Sequence, residues 1–518
     1  MKADTIGAVV LAAGRSTRFR SARSKLVHPL AGRPVIDWVL GALRSLAVEP
    51  IVAVVGPDSD ELRATCGSGV RFAVQSEPRG TGHAVLAAES AVADFDGSLL
   101  LLYGDLPLLR AETLVRLCEA HRGGGGALSL LTATVADPFG WGRIERRGGV
   151  VSGIIEQRDA SPEQQAIREV NVGVYCVRRD LLFELLHQVR PNNAQNEIYL
   201  TDIVAGAVAR GVAITAVPVD VAEVGQINSR GELAGVEQLV RARINADWMA
   251  AGVTLEDPAS TYIGPEVTIG ADTVLGPNTH LRGRTTIGAR CRVDGSAYIT
   301  ASTLADDVHL KFGVVLTEAR IGAHCQIGPF AHLRPGTQLA EHVHIGDFVE
   351  TKNARLGRGS KANHLAYLGD AELGREVNIG AGTITCNYDG FSKQKTIIGD
   401  RVQVGSDSTL VAPVTIGDDA YLATATTVRS DVAPGALVFN RRDQVERRGW
   451  VAAFRARKTG TSAPAAKAAK PERAKPKSAK AQPQRTRAKS GKAVAAPKAG
   501  RRTSKPAARK PSRPRRRG

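Results

Sequence analysis

From residue 251 onward the large aliphatic residues return at every sixth position. They fall at Ile263, Ile269, Leu275, Leu281, Ile287, Val293 and Ile299, resume at Ile321, Ile327, Leu333, Leu339 and Ile345, and resume again at Ile398, Val404, Leu410, Ile416, Leu422 and Val428. Glycine often follows, as at Gly264, Gly270, Gly288, Gly322 and Gly399. A step of six is neither the period of a helix nor that of an ordinary strand. It fits a hexapeptide solenoid, where each hexapeptide forms one short side of a triangular coil and points its aliphatic residue inward. About ten coils fit into the stretch. The frame slips between Ile299 and Ile321 and again after Ile345, and Thr385–Lys395 lacks the period and reads as an inserted loop. Such breaks in a rigid scaffold are where function tends to sit.

The first 229 residues carry a different pattern. Near-continuous apolar runs predict strands at Ile6–Leu11, Ile51–Val55, Phe72–Val74, Leu99–Tyr103, Leu128–Val135, Val172–Val177 and Ile214–Pro218. Amphipathic runs lie between several of them: Val35 to Leu46, Thr81–Val92 and Glu112–His121. That alternation predicts a mainly parallel sheet covered on both faces, with ligands at the carboxyl ends of its strands. Residues 232–249 then predict one helix, with Leu233, Val236, Leu239, Val240 and Ile244 as its apolar stripe, joining the two halves.

Charge changes the picture only once it is located. The formal net charge of +18 is a property of the C-terminus: residues 457–518 hold 22 Lys and Arg and one acid, Glu472. That leaves 47 basic and 50 acidic residues in 1–456, a net charge of −3. The tail has no aromatic residue, is rich in Lys, Ala, Pro and Arg, and is expected to be disordered. It is either a polyanion-binding arm or a dispensable solvated extension. No run of about 18 apolar residues exists, so no membrane span is expected. Lys2 followed by Ile6–Ala13 imitates a secretory leader, but Asp4 and the shortness of the run favour a buried first strand. The six cysteines (Cys66, Cys118, Cys176, Cys291, Cys325, Cys386) form no CxxC and read as reduced thiols of a cytoplasmic protein.

Three places in the first half could carry chemistry. The first strand ends in Leu11-Ala12-Ala13-Gly14, a small-residue turn whose backbone N–H groups suit phosphate, with Arg18 and Lys25 as cations nearby. A plain turn with surface cations would look the same. Gly80-Thr81 opens a helix after Gln75, which suits either the approach of a base or an ordinary N-cap. Strand Leu99–Tyr103 runs into Gly104-Asp105, where a doubly wound sheet places a carboxylate for Mg²⁺ or simply a turn residue. Together these segments, with Gly142 (in WGRI), Glu156, Asn171 (in VNVG) and Asn228 in the same order, resemble the sugar-phosphate nucleotidyltransferases. The resemblance implies that Asp105 and Asn228 hold Mg²⁺, that Gln75, Gly80 and Thr81 read uracil of UTP, and that Gly142, Glu156 and Asn171 hold the sugar. It also implies that Arg18 and Lys25 offset charge on the phosphates. Ser16 stands where the family customarily has glycine, and Ser24 where it has proline.

The irregular part of the solenoid carries Arg334, Glu350-Thr351-Lys352 and Asn363-His364-Leu365-Ala366-Tyr367. Acetyl transfer to an amine needs a base that titrates near neutrality, which His364 could supply, with Glu350 orienting its ring. Arg334 and Lys352 could bind a sugar phosphate. The hexapeptide solenoid resembles the left-handed β-helix acyltransferases, which are usually trimers. The run YLGDAELGREVNIGAGTITCNYDG (Tyr367–Gly390) narrows this to the bifunctional N-acetylglucosamine-1-phosphate uridyltransferase/glucosamine-1-phosphate acetyltransferase family, whose resemblance extends over about residues 5–450. It implies His364 as base, Arg334, Lys352, Tyr367 and Asn378 on the amino-sugar phosphate, and Ala381, Asn387, Tyr388, Ser406, Thr424 and Arg441 along acetyl-CoA. Thr424-Ala425 stands where the family usually has Ala-Gly. The implied product is UDP-N-acetylglucosamine, a peptidoglycan and lipopolysaccharide precursor.

The expected organisation is α/β plus all-β. A Rossmann-like nucleotidyltransferase domain spans 1–229, a linker helix 230–250, a left-handed parallel β-helix with a C-terminal arm 251–456, and a disordered basic tail 457–518. The alternative is a monofunctional nucleotidyltransferase whose β-helix only assembles trimers.

Overall fold

A computed structural model describes residues 5–125, 127–441 and 443–461. The expectations for Lys2, Asp4 and the tail from 462 onward lie outside the described residues. Contacts divide the chain into one unit ending at Asn440 and a second starting at Arg441.

In the first half the sheet order is Ile214–Pro218, Leu128–Thr134, Glu169–Arg178, Ser98–Tyr103, Ile6–Leu11, Ile51–Val55, Val70–Val74. Strand Ile6–Leu11 is central and pairs in parallel with both neighbours. Its apolar run is continuous because alternate residues feed two cores: Ala8 and Val10 join one, Val9 and Leu11 the other. The sheet is mixed rather than uniformly parallel, since Glu169–Arg178 runs antiparallel to both of its neighbours. The hairpin Arg143–Arg147 with Val150–Ile155 was not legible in the sequence. Its exposed tip carries Arg146 and Arg147, so the first strand shows no long apolar run.

Helix Arg230–Ala250 joins the halves. Val236 and Val240 pack on the core of the sheet, while Ile244 and Trp248 pack on the core of the solenoid. Asn245 Nδ2 donates to the carbonyls of Pro258 (2.9 Å) and Thr261 (3.1 Å), and Arg241 lies over the Tyr262 ring at 4.4 Å.

The solenoid consists of three parallel sheets of eleven, ten and nine short strands, the faces of a left-handed β-helix. All eighteen aliphatic residues of the six-step are buried. The slips of frame have a simple origin. Inward residues on successive coils are 18 apart where the step is regular, as Ile269 with Ile287, but 17 apart from Ile287 to Leu304, Leu304 to Ile321, Leu339 to Leu356 and Leu356 to Leu373. One corner has lost a residue in those coils. From Leu373 to Ile398 the spacing is 25, seven more than the regular step, and the excess forms the inserted loop. The pattern is further obscured because Thr351 and Thr385 take inward positions, each with its hydroxyl satisfied: Thr351 by Thr337 at 2.9 Å and Thr385 by the Gly369 carbonyl at 3.0 Å.

In the second unit, helix Trp450–Thr459 runs past the expected start of the disordered tail at 457. Arg455, Arg457 and Lys458 are compatible with a helix that buries nothing, so charge alone did not mark its end.

Candidate functional sites

At the carboxyl end of the central strands, Lys25, Asp105 and Asn228 meet. Lys25 sits in a short helical turn whose start is capped by Ser24, whose Oγ accepts from Leu26 N; serine at the customary proline position therefore keeps the turn. Its ammonium donates to Asp105 Oδ2 at 2.5 Å and to Asn228 Oδ1 at 2.8 Å. Asn228 is held by the capping box of the linking helix, where Glu232 Oε2 accepts from the backbone N–H of both Asn228 and Ser229. Asp105 Oδ1 is buried and has no partner among the described residues. An orphaned carboxylate oxygen beside an amide oxygen is a donor set suited to Mg²⁺, which commonly takes one or two protein oxygens and completes its shell with water and substrate phosphate. Among the described residues no cluster of three or more His, Cys, Asp or Glu forms a fuller metal cage.

The Ala12–Thr17 loop, Gly56 and Gln75 line a cavity of about 540 Å³. Gly14 lines this cavity, and a Cβ there would meet nothing within 4 Å. Ser16 adopts a left-handed backbone (φ 52°). Arg18 is exposed and makes no ion pair among the described residues. Gln75 is buried, and its amide nitrogen is engaged by the Gly80 carbonyl and His83 Nδ1, both at 3.1 Å. That orientation leaves the carbonyl end of Gln75 free to accept. Gly80 has φ 106°, and a Cβ there would lie 2.5 Å from the Ile198 carbonyl, so only glycine fits.

The sugar-side residues form their own group. Asn171 N donates to the Gly142 carbonyl at 2.9 Å, and a Cβ on Gly142 would stand 3.6 Å from both Glu156 carboxylate oxygens. Glu156 accepts from Thr201 Oγ1 at 3.2 Å, and burial raises its pKa above the ordinary glutamate value. The Asn171 side chain accepts from Gly173 N and donates to the Tyr175 hydroxyl, bracing the bulge in its strand. Tyr103 links the groups: burial raises its pKa, and the Glu156 and Asp105 carboxylates add to the rise.

On the solenoid, register sorts the expected residues into rows. Asp347 and His364 are in-register partners, and the same coil-to-coil register (Ala362, Ile379, Val404, Leu422) carries that row on to Ala381, Ser406 and Thr424. Three of the residues implied for acetyl-CoA, Ala381, Ser406 and Thr424, therefore run along one corner from the exposed His364, about 5 Å per coil, whereas Asn387 and Tyr388 follow a strand of another sheet. A neighbouring row holds Arg334, Lys352 and Gly369. Glu350 does not orient His364: its Oε1 accepts from Arg334 at 2.7 Å, and its in-register partners are His332 and Tyr367. The alternation of the strand puts it beside the cations. Asn378 lies beside Lys361 on the sheet that also carries His364. Arg441 is exposed and belongs to the second unit.

Lys393, in the inserted loop, was missed. Its ammonium, with Arg334, pushes the Lys352 pKa down, while Asp370 counteracts the fall. With Glu350 paired to Arg334 and Asp370 acting on Lys352, three cations face two carboxylates, and the balance there is positive. The only sequence signal was that Lys393 interrupts the hexapeptide period.

Residues 8–196 match the MobA-like NTP transferase domain family, 258–358 the GMPPB C-terminal domain family and 395–428 the hexapeptide repeat of succinyl-transferase. The chain is 48% identical over 451 residues to the bifunctional protein GlmU of Pelobacter propionicus, covering 86% of this chain and 98% of that one. The GlmU of Trichlorobacter lovleyi is 48% identical over 447 residues (86% and 97% covered), and that of Syntrophotalea carbinolica 49% over 447 (86% and 96%). The chain belongs to the GlmU family of bifunctional proteins.

Proposed function

We propose that the chain carries out two successive reactions at separate sites. The β-helix acetylates glucosamine-1-phosphate from acetyl-CoA, and the α/β half joins the product to UTP, releasing pyrophosphate and forming UDP-N-acetylglucosamine. The observation that carries the reading is the presence of both constellations on one chain of the GlmU family.

In acetyl transfer the cations Arg334, Lys352 and Lys393 hold the phosphate of the amino sugar. His364, exposed at the corner, takes the proton that leaves the attacking amine. The row from His364 through Ala381 and Ser406 to Thr424 lays the coenzyme along the coils. In uridylyl transfer the sugar phosphate attacks the α-phosphorus of UTP in line, and pyrophosphate leaves from the opposite side. The backbone of Ala12–Gly14 cradles the phosphates, Arg18 and Lys25 offset their charge, and the Gln75 carbonyl accepts from the base. Glu156 accepts from sugar hydroxyls. Mg²⁺, held by Asp105 and Asn228, supplies charge neutralisation on the phosphates when bound.

A ridge beside the His364 row supports a trimer. Phe312 meets Phe330 edge to face at 5.8 Å, Phe330 stacks on Phe348 at 5.5 Å, Leu365 continues the row, and Leu365 is 63% exposed. A second copy covering that ridge would bring its own residues to the acetyl-transfer site. All six cysteines are free and, among the described residues, no helix is long and apolar enough to cross a membrane, which supports a cytoplasmic enzyme.

The test is a split assay. Free CoA is followed with glucosamine-1-phosphate and acetyl-CoA; pyrophosphate is followed with N-acetylglucosamine-1-phosphate, UTP and Mg²⁺. Both products are expected. Pyrophosphate without CoA would reduce the β-helix to a scaffold.

A further inference from the structure

Asn353, Asp370 and Asn387 occupy equivalent positions on three successive coils, one residue beyond the pairs Lys352–Gly369 and Gly369–Cys386. Asp370 is buried in the middle of this ladder. Its Oδ1 accepts from Asn353 Nδ2 at 2.6 Å and its Oδ2 from Asn387 Nδ2 at 2.5 Å. Its backbone is tied at the same place: its N–H donates to the Lys352 carbonyl and its own carbonyl accepts from Thr396 N. Asn387 and Thr396 bracket the inserted loop, and Gln394 N donates to the Asn387 carbonyl to close it. One aspartate thus holds both roots of the loop that carries Tyr388 and Lys393.

An ionised carboxylate accepts and cannot donate, so an asparagine amide beside it can present only its NH₂. The orientation of Asn387 is therefore fixed by chemistry: Nδ2 inward on Asp370, Oδ1 outward. That Oδ1 carries no hydrogen bond among the described residues and is not among the sealed, unpartnered atoms. We infer that Asp370 is a positioning residue for acetyl transfer, which sets the polarity of Asn387 so that a hydrogen-bond acceptor, never a donor, faces the N–H groups of the bound substrates. The inference rests on reading the β-helix as an acetyltransferase.

The full-length enzyme, Asp370→Asn, and the double variant Asp370→Asn with Asn353→Asp are compared in both half-reactions. In Asp370→Asn the central amide can turn either way, and Asn387 is free to flip with it. A hydrogen bond to a charged group is lost, and kcat/KM for glucosamine-1-phosphate should fall about 10- to 100-fold while pyrophosphate release is unchanged. In the double variant, the carboxylate introduced at position 353 draws the NH₂ of residue 370 toward itself, so the oxygen at 370 again faces Asn387. Acetyl transfer should return to within about threefold of the parent. Unchanged acetylation in Asp370→Asn overturns the inference. So does a double variant that regains the parent's melting temperature without its activity, because polarity would then be irrelevant. A parent enzyme that releases no CoA fails the acetyltransferase reading itself, and the inference falls with it.

Discussion

Lys25 Nζ lies within hydrogen-bond distance of both Asp105 Oδ2 and Asn228 Oδ1, so one ammonium bridges the two residues proposed to hold the metal. The second oxygen of Asp105 is buried with no partner among the described residues. A carboxylate left half-satisfied beside a lysine is costly unless something else uses it. Replacing Asp105 by Asn removes the charge while keeping the shape. Pyrophosphate release should fall on the order of 10²–10³-fold. CoA release from the same preparation should be unchanged, because the two sites share no residue. Equal loss of both would refute separate sites.

His364 is exposed and lies in the same coil-to-coil row as Ala381, Ser406 and Thr424. Removing a general base typically costs about 10²- to 10⁴-fold. His364→Ala should lower CoA release by that order and leave pyrophosphate release untouched. Because Glu350 pairs with Arg334, Glu350→Gln should act mainly through the KM for the sugar phosphate. A matching loss of kcat in Glu350→Gln would return the carboxylate to the histidine.

Glu156 is a charge kept where burial disfavours it. A carboxyl whose folded pKa is raised above its unfolded value favours the fold while protonated. That contribution is complete below the unfolded pKa of about 4.3 and is lost as pH rises through the folded value. Glu156→Gln mimics the protonated form. The variant should therefore melt higher than the parent at pH 8, and the gap should close as the pH is lowered toward 4. Its KM for N-acetylglucosamine-1-phosphate should rise at the same time. A variant less stable at pH 8 would contradict burial as the dominant cause.

The legible parts of the fold are those with a period. The six-step marks every inward aliphatic position of the regular coils, and apolar runs mark the seven main strands, most clearly the inner ones, where burial on two faces leaves little room for polar residues. What stayed hidden has no period. The Arg143–Ile155 hairpin is solvated on one side, and the 17-residue coils shift the frame by a single residue at a corner. Most site residues were reached through family likeness in motif order, since Lys25, Gln75 and Glu156 have no local pattern that separates them from surface residues. Lys393 and Asp370 were missed because their roles depend on neighbours one coil away, a distance that only the register defines.

Two departures from family habit share one backbone feature. Ser16 and Ala425 replace customary glycines, and both adopt left-handed conformations, with φ 52° and 58°. A side chain there costs about 1–2 kcal/mol, partly offset because glycine makes the unfolded chain more flexible. Ser16 Oγ recovers little, since its contacts with the Gly14 carbonyl and Lys25 N are both 3.4 Å long. Ser16→Gly and Ala425→Gly should each raise stability by about 0.5–1 kcal/mol, read as a higher urea midpoint. They lie on separate elements with no shared partner, so the gains should add. Ser16→Gly should also leave the Lys25 turn in place, because Ser24 caps it independently, and pyrophosphate release should not fall. Unshifted midpoints would mean that the loop and the coil corner hold residues 16 and 425 in this conformation without strain.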